Sequence, residues 1–178
     1  MGTVYRHFPT KEALLDALAA DYFAHQAQAA REALAVEDPW EAFHYYMRRG
    51  AELMADNRAL AQVASDRPSV MTQAAEQAEA DCGFFGTVQT LISRAHAAGA
   101  LRADFRLEDV PAIMCSLGSL QNSRGEYANW RRVLEFVLDG LRAPGSGELP
   151  PVAVELPLRA DARSEAPSWR SRRVWPLA

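Results

Sequence analysis

The first residues of the chain carry side chains suited to binding a polyanion. In the stretch GTVYRHFPTK, hydrogen-bonding and cationic groups follow one another: Thr3, Tyr5, Arg6, His7 and Lys11. Threonine can pair with base edges in a DNA major groove, whereas tyrosine, arginine and lysine reach phosphate oxygens. Lys11 is the chain's only lysine and follows the potential helix cap Thr10, at a helix N-terminus that also favours an anion. These five residues are the candidate DNA-contacting residues.

The residues that catalysis or metal binding would require do not occur together in the sequence. His7, His25, His44 and His96 are far apart, and the motifs HExxH, GxSxG and CxxC are absent. We therefore expect no catalytic residue, no metal site and no cofactor. A small helical enzyme remains a remote alternative.

Composition limits the class of protein and its compartment. The formal net charge of -4 argues against a generally basic nucleic-acid coat, but it permits a small DNA-contacting surface on an acidic body. The two cysteines, Cys82 and Cys115, are isolated in the sequence, which favours a reducing interior. The sequence contains no run of about 18 apolar residues, so it predicts no membrane span. We expect a cytoplasmic protein without membrane contact.

Helical periodicity extends along most of the sequence and predicts an all-α fold. Apolar residues recur at three- and four-residue steps, and no alternating strand pattern competes with them. Pro9 disfavours helical geometry at Phe8, so a first short helix should end there. The further helices predicted are 11 into the 30s, 39 to about 56, 59–64, 70–98, 110–120 and 130–141. Gly83 and Gly86 predict a kink or close packing within 70–98.

The composition changes after residue 143. Six of the ten prolines lie in the last 35 residues, and their spacing prevents a long helix. Residues 144–178 are therefore predicted to be mostly disordered. Arginine and tryptophan alternate in the final SWRSRRVW, so contact with nucleic acid or an acidic partner is the alternative to a solvated tail.

The opening motif resembles a known family. The string GTVYRHFPTKEALL is similar to the recognition helix and following helix of TetR-family transcriptional repressors. More loosely, 39–143, with RRGAELMADNRAL, AHAAGALRAD and EDVPAIM, resembles the ligand-binding and dimerisation domain of members with an SbtR-like C-terminal domain. The resemblance implies a TetR-like helical bundle. Residues 1–32 would be the remnant of the DNA-binding domain with its connecting helix, 39–143 the ligand-binding and dimerisation domain, and 144–178 the tail.

The resemblance also implies roles for particular residues. Thr3 and Tyr5 would face the DNA groove, and Tyr5, His7 and Lys11 would contact phosphates. A pocket for an unknown small molecule would be surrounded by helices that carry His44, Tyr45, Phe84, Phe85, Met114, Cys115 and Gln121. The last two helices would pair with their copies in a homodimer, as operators of such repressors are read by two-fold dimers. Ligand binding would release the repressor from its operator DNA.

The start of the sequence raises a separate expectation. Members of the family carry two more helices before the recognition helix, and the three together form the DNA-binding domain. Those two helices are missing from this sequence, and either a start assigned too far downstream or a truncated gene would explain this. We expect the first of these explanations. The alternative is a dimerising, ligand-binding fragment that has no affinity for DNA.

Overall fold

The computed structural model describes residues 8, 10–55, 57–122, 129–145 and 147–151. In these ranges the chain forms helices and no strand, apart from one isolated bridge between Leu101 and Arg142. The all-α prediction is confirmed. The helices are α1 (Lys11–Leu34), α2 (Pro39–Ala55), α3 (Arg58–Asp66), α4 (Pro68–Cys82), α5 (Phe84–Ala97), α6 (Asp109–Asn122) and α7 (Trp130–Leu141).

Helix α1 begins where the sequence predicts a cap. The Thr10 hydroxyl accepts a hydrogen bond from the backbone N–H of Ala13 at 3.1 Å, and Glu12 adds an acidic group to the first turn. The buried face of α1 consists largely of alanine, which lets the helix approach its neighbours closely. Helix α1 packs against α2, α4 and α5.

The helix predicted over 70–98 is two helices, so the expectation of one kinked helix was wrong. Gly83 adopts φ 63° and ψ 41°, a left-handed conformation that ends α4 before α5 begins. The side chain of Glu79 crosses the break and accepts a hydrogen bond from the backbone N–H of Phe85 at 2.7 Å. This contact supplies a partner to the first turn of α5.

Arg94 holds the turn between α1 and α2. Its guanidinium donates hydrogen bonds to the carbonyl oxygens of Leu34 and Val36, both at 2.9 Å, and of Glu37 at 3.1 Å. These carbonyls lie at and just beyond the C-terminal end of α1, where a cation is also favoured by the helix dipole. These hydrogen bonds connect α5 to the turn between α1 and α2.

Arg102 and Asp104 form a clasp that fixes the end of α7. The buried guanidinium of Arg102 donates to the Asp104 carboxylate at 2.5 and 2.9 Å and also to the carbonyl oxygens of Gly140 and Gly147. The backbone N–H of Leu149 donates to the same carboxylate at 2.8 Å. The segment 147–149 and the end of α7 are thereby held on the loop that follows α5.

Several predicted features lie outside the described residues. These are the DNA-contacting candidates Thr3, Tyr5, Arg6 and His7, and the greater part of the predicted tail, 152–178. Lys11 is described and lies exposed at the first position of α1.

Candidate ligand-binding site

A cavity of about 210 Å³ lies among the first six helices. Helices α1, α4, α5 and α6 provide most of its wall, α2 and α3 provide the remaining helical contacts, and Leu107 belongs to the loop before α6. The wall consists of Tyr22, Phe23, Gln26, Tyr46, Met54, Ala64, Pro68, Met71, Thr72, Ala75, Glu76, Phe84, Phe85, Val88, Leu107, Val110, Pro111, Met114 and Cys115.

The wall is mainly apolar and aromatic. Phe23 and Phe84 meet edge to face with ring centroids 5.7 Å apart, and Phe84 also contacts Phe85 at 5.3 Å. Apolar walls with a few placed polar groups are typical of small-molecule sites. The arrangement can bind an apolar body and can orient it only where polar atoms interrupt the wall.

The main polar group in the apolar wall is a pair of buried side chains on α1. Gln26 is only 2% exposed, and its Nε2 donates to the Tyr22 hydroxyl at 2.6 Å. Gln26 Oε1 is buried and has no hydrogen-bond partner among the described residues. A buried amide oxygen without a partner costs about 1–3 kcal/mol, so this atom is a candidate for pairing with a bound molecule.

Gly50 of α2 provides the space that the Gln26 amide occupies. A Cβ atom at this position would lie 2.9 Å from Gln26 Nε2, 3.0 Å from Oε1 and 3.2 Å from Met114 Cε. Distances this short exclude any larger residue unless these side chains move. The glycine therefore positions the amide against the cavity.

Burial favours the protonated form of the hydroxyl and thiol groups of the wall. Burial raises the pKa of Tyr22, and it raises that of Tyr46 as well. Burial also raises the pKa of the Cys115 thiol. Of the described residues in the wall, Glu76 alone is ionic, and it is exposed.

The cavity contains four of the seven predicted ligand-binding residues: Phe84, Phe85, Met114 and Cys115. His44 and Tyr45 are not in the wall. His44 Nε2 lies 3.4 Å from Glu135 Oε2 of α7, and the Tyr45 hydroxyl donates to Glu32 Oε2 of α1 at 2.8 Å.

The geometry of α2 explains why those two residues are elsewhere. Successive helical residues are turned by about 100°, and Tyr46, Gly50 and Met54 form the face toward the cavity, so 44 and 45 point away from it. The side chain of Gln121, the seventh candidate, lies outside the described part of the chain.

Comparison with known proteins shows the family of the domain. Residues 38–143 match the family model of the SbtR-like transcriptional regulator C-terminal domain, a range that begins just before α2 and ends just after α7. The chain belongs to the TetR family of transcriptional regulators.

Two solved TetR regulators are similar in structure. SCO0520, a TetR transcriptional regulator from Streptomyces coelicolor, is 28% identical with a TM-score of 0.57 over 79% of each chain. The TetR family transcriptional regulator PfmR from Thermus thermophilus is 18% identical with a TM-score of 0.46, over 82% of this chain and 81% of that one. A comparison with curated proteins found no match.

The described residues of this TetR-family chain form neither a metal-binding cluster nor a membrane-spanning helix. Within the described ranges, no three His, Cys, Asp or Glu side chains are grouped as a metal site requires. None of the helices described above is both long and apolar enough to cross a bilayer.

Proposed function

We propose that this TetR-family protein is a DNA-binding transcriptional repressor that a small-molecule ligand releases from its operator. The observation that carries the proposal is the cavity between α1 and the domain that matches the SbtR-like C-terminal model, with Tyr22, Phe23 and Gln26 of α1 in its wall. The DNA-binding part of the proposal rests on residues 2–8, whose sequence resembles the recognition helix of the family. Residues 39–143 are its ligand-binding and dimerisation domain.

Helix α1 gives the ligand a direct mechanical connection to the DNA-binding unit. Tyr22 and Gln26 line the cavity from the middle of the helix, and Lys11 is its first residue, about 16 Å from Tyr22 along the helix axis. Glu12 Oε1 also lies 3.6 Å from Arg67 Nη1, next to the cavity residue Pro68. A ligand that favours one position of α1 over another would therefore alter the spacing of the paired recognition helices.

The surface of α7 supports the homodimer in this proposal. Its outer face carries positive charge near the beginning and negative charge near the end: Arg131, Arg132, Glu135 and Asp139 are all exposed. A two-fold axis that pairs two α7 helices antiparallel would place opposite charges against each other. Small exposed residues on α6, Ala112 and Ser116 among them, permit a second helix pair to approach closely.

The deciding experiment is operator selection with the protein purified from its own cell. Its intact mass would be measured first, and genomic DNA fragments retained by the protein would then be sequenced. We expect a two-fold symmetric site whose binding weakens steeply with salt, because phosphate contacts dominate protein–DNA affinity. A neutral apolar extract of the same cells should release the fragment.

Each outcome of the selection bears on the proposal. Retention of a symmetric site and its release by the extract would support a ligand-controlled repressor. Failure to retain DNA by a dimer that still binds small molecules would overturn the repressor function in favour of the ligand-binding fragment. Tighter binding to DNA in the presence of the extract would contradict release.

A further inference from the structure

We propose that the cavity binds a small, uncharged molecule with an apolar body and one hydroxyl group, and that Gln26 and Tyr22 together bind that hydroxyl. The inference rests on the proposed function, because it assigns a chemical class to the ligand of the same site. A phenol or a short aliphatic alcohol represents this class.

The Tyr22–Gln26 pair can both donate a hydrogen bond to a ligand and accept one from it. With Gln26 Nε2 donating to the tyrosine oxygen, Oε1 is a free acceptor, and no other described residue accepts the hydroxyl proton of Tyr22. If the amide is turned by 180°, Oε1 accepts that proton, and Nε2 becomes a free donor beside the tyrosine oxygen. The pair offers at least one donor and at least one acceptor in either orientation, and a hydroxyl group can pair with one of each.

The charge of the wall does not suit an anionic ligand. Of the described residues that surround the cavity, none is Lys, Arg or His, and Glu76 carries the only formal charge. A carboxylate or phosphate ligand would lose its hydration in an apolar space without a cation to pair with. The wall therefore disfavours organic anions.

The volume of the cavity limits the size of its ligand. An apolar protein cavity of about 150 Å³ holds benzene. The volume here, about 210 Å³, then accommodates roughly eight to ten non-hydrogen atoms at similar packing. A single substituted ring or a short branched chain fills this space.

The test uses three probes of similar shape on the complete protein. The probes are p-cresol, which has the hydroxyl group, p-xylene, which replaces it by a methyl group, and p-toluate, which replaces it by a carboxylate. Calorimetric titration gives the affinity of each. The quantity of interest is the ratio of the p-cresol affinity to the p-xylene affinity.

Two variants remove the polar atoms singly, and a third serves as the control. Gln26→Leu and Tyr22→Phe should each lower the cresol-to-xylene ratio about tenfold, because each removes a buried hydrogen-bonding partner and leaves the ring site in place. Gln28→Leu makes the same substitution as Gln26→Leu at an exposed position of α1 outside the wall, and it should leave the ratio unchanged. Circular dichroism and thermal unfolding establish whether each variant is folded. If Gln26→Leu does not fold, Tyr22→Phe, which retains the aromatic ring, tests the pair by itself.

The outcomes separate this inference from the proposed function. An unchanged ratio in a folded Gln26→Leu or Tyr22→Phe variant, with both probes bound, would overturn the hydroxyl-binding pair but keep the ligand cavity. Tighter binding of p-toluate than of p-cresol would overturn the uncharged class. If none of the three probes shows saturable binding, the cavity is not a ligand-binding site. That result would also overturn the ligand-controlled part of the proposed function.

Discussion

At the residue scale, the absence of a side chain at Gly50 leaves space for the Gln26 and Met114 side chains in the cavity wall. The site that a Cβ atom would occupy lies 2.9 Å from Gln26 Nε2 and 3.2 Å from Met114 Cε, and both of these side chains belong to the cavity wall. A glycine inside a helix is ordinarily a cost of about 1 kcal/mol relative to alanine. Its presence in the middle of α2 indicates that contact geometry outweighs helix propensity here.

The substitution Gly50→Ala tests this directly. We expect a loss of about 1–3 kcal/mol in the free energy of unfolding, because the overpacking against Gln26 and Met114 exceeds the gain in helix propensity. Urea unfolding measures the change. Gly86→Ala is the matched control: Gly86 lies in α5 with open space around it, so the same substitution should stabilise the protein by up to about 1 kcal/mol. Equal stabilisation by both substitutions would show that Gly50 is not sterically required.

At the element scale, the clasp of Arg102 and Asp104 fixes the loop after α5, the end of α7 and the segment 147–149 to one another. The Arg102 guanidinium, together with the Leu149 N–H, holds the pKa of the Asp104 carboxyl well below its usual range. A carboxyl with a lowered folded-state pKa stabilises the fold above its unfolded-state pKa, which is about 3.9. That stabilisation is lost as the pH falls through the lower, folded-state pKa.

The substitution Asp104→Asn should therefore destabilise the protein in a pH-dependent way. Near neutral pH the urea midpoint of the variant should lie below that of the unmodified protein, and the gap should begin to close as the pH falls below about 4. Asp16→Asn changes an exposed carboxylate of α1 and should show no comparable gap. A gap for Asp104→Asn that does not vary with pH would mean that shape, and not charge, accounts for the clasp.

The helices could be predicted from the sequence because their apolar spacing is regular, but the break between α4 and α5 could not. Gly83 and Gly86 both lie in that region, and nothing local distinguishes the glycine that adopts a positive φ from the one that continues the helix. The same periodicity predicts that the wall residues Phe84, Phe85 and Met114 lie on the apolar faces of their helices.

Gln26 was not predicted as a site residue because a polar residue in an alanine-rich helix is ordinarily a surface position. Its spacing of four from Tyr22 was the one local signal, since residues at that separation meet on a helix. Burial of Gln26 depends on α2, whose Gly50 approaches α1 from elsewhere in the chain. This tertiary contact cannot be deduced from a local pattern.

At the scale of the whole molecule, the outer face of α7 carries the most exposed large apolar side chain among the described residues. Phe136 is 63% exposed, and the Arg132 guanidinium lies 5.0 Å from the centre of its ring. The other face of the same helix is fixed in the core by Trp130, Leu134 and Leu138. A rigid helix with an exposed aromatic residue beside complementary charges is suited to pairing with its own copy.

The substitution Phe136→Glu should weaken the proposed homodimer by at least about tenfold, because an aromatic residue at the centre of an interface contributes strongly to association. Sedimentation over a range of concentrations measures the dimer dissociation constant. The free energy of unfolding of the monomer should change by less than about 0.5 kcal/mol, since the ring is mostly exposed within one chain. Gln73→Glu introduces the same charge on the exposed side of α4 and should leave the dimer intact. An unchanged dissociation constant for Phe136→Glu would place the interface elsewhere, and a monomeric unmodified protein would contradict the dimer altogether.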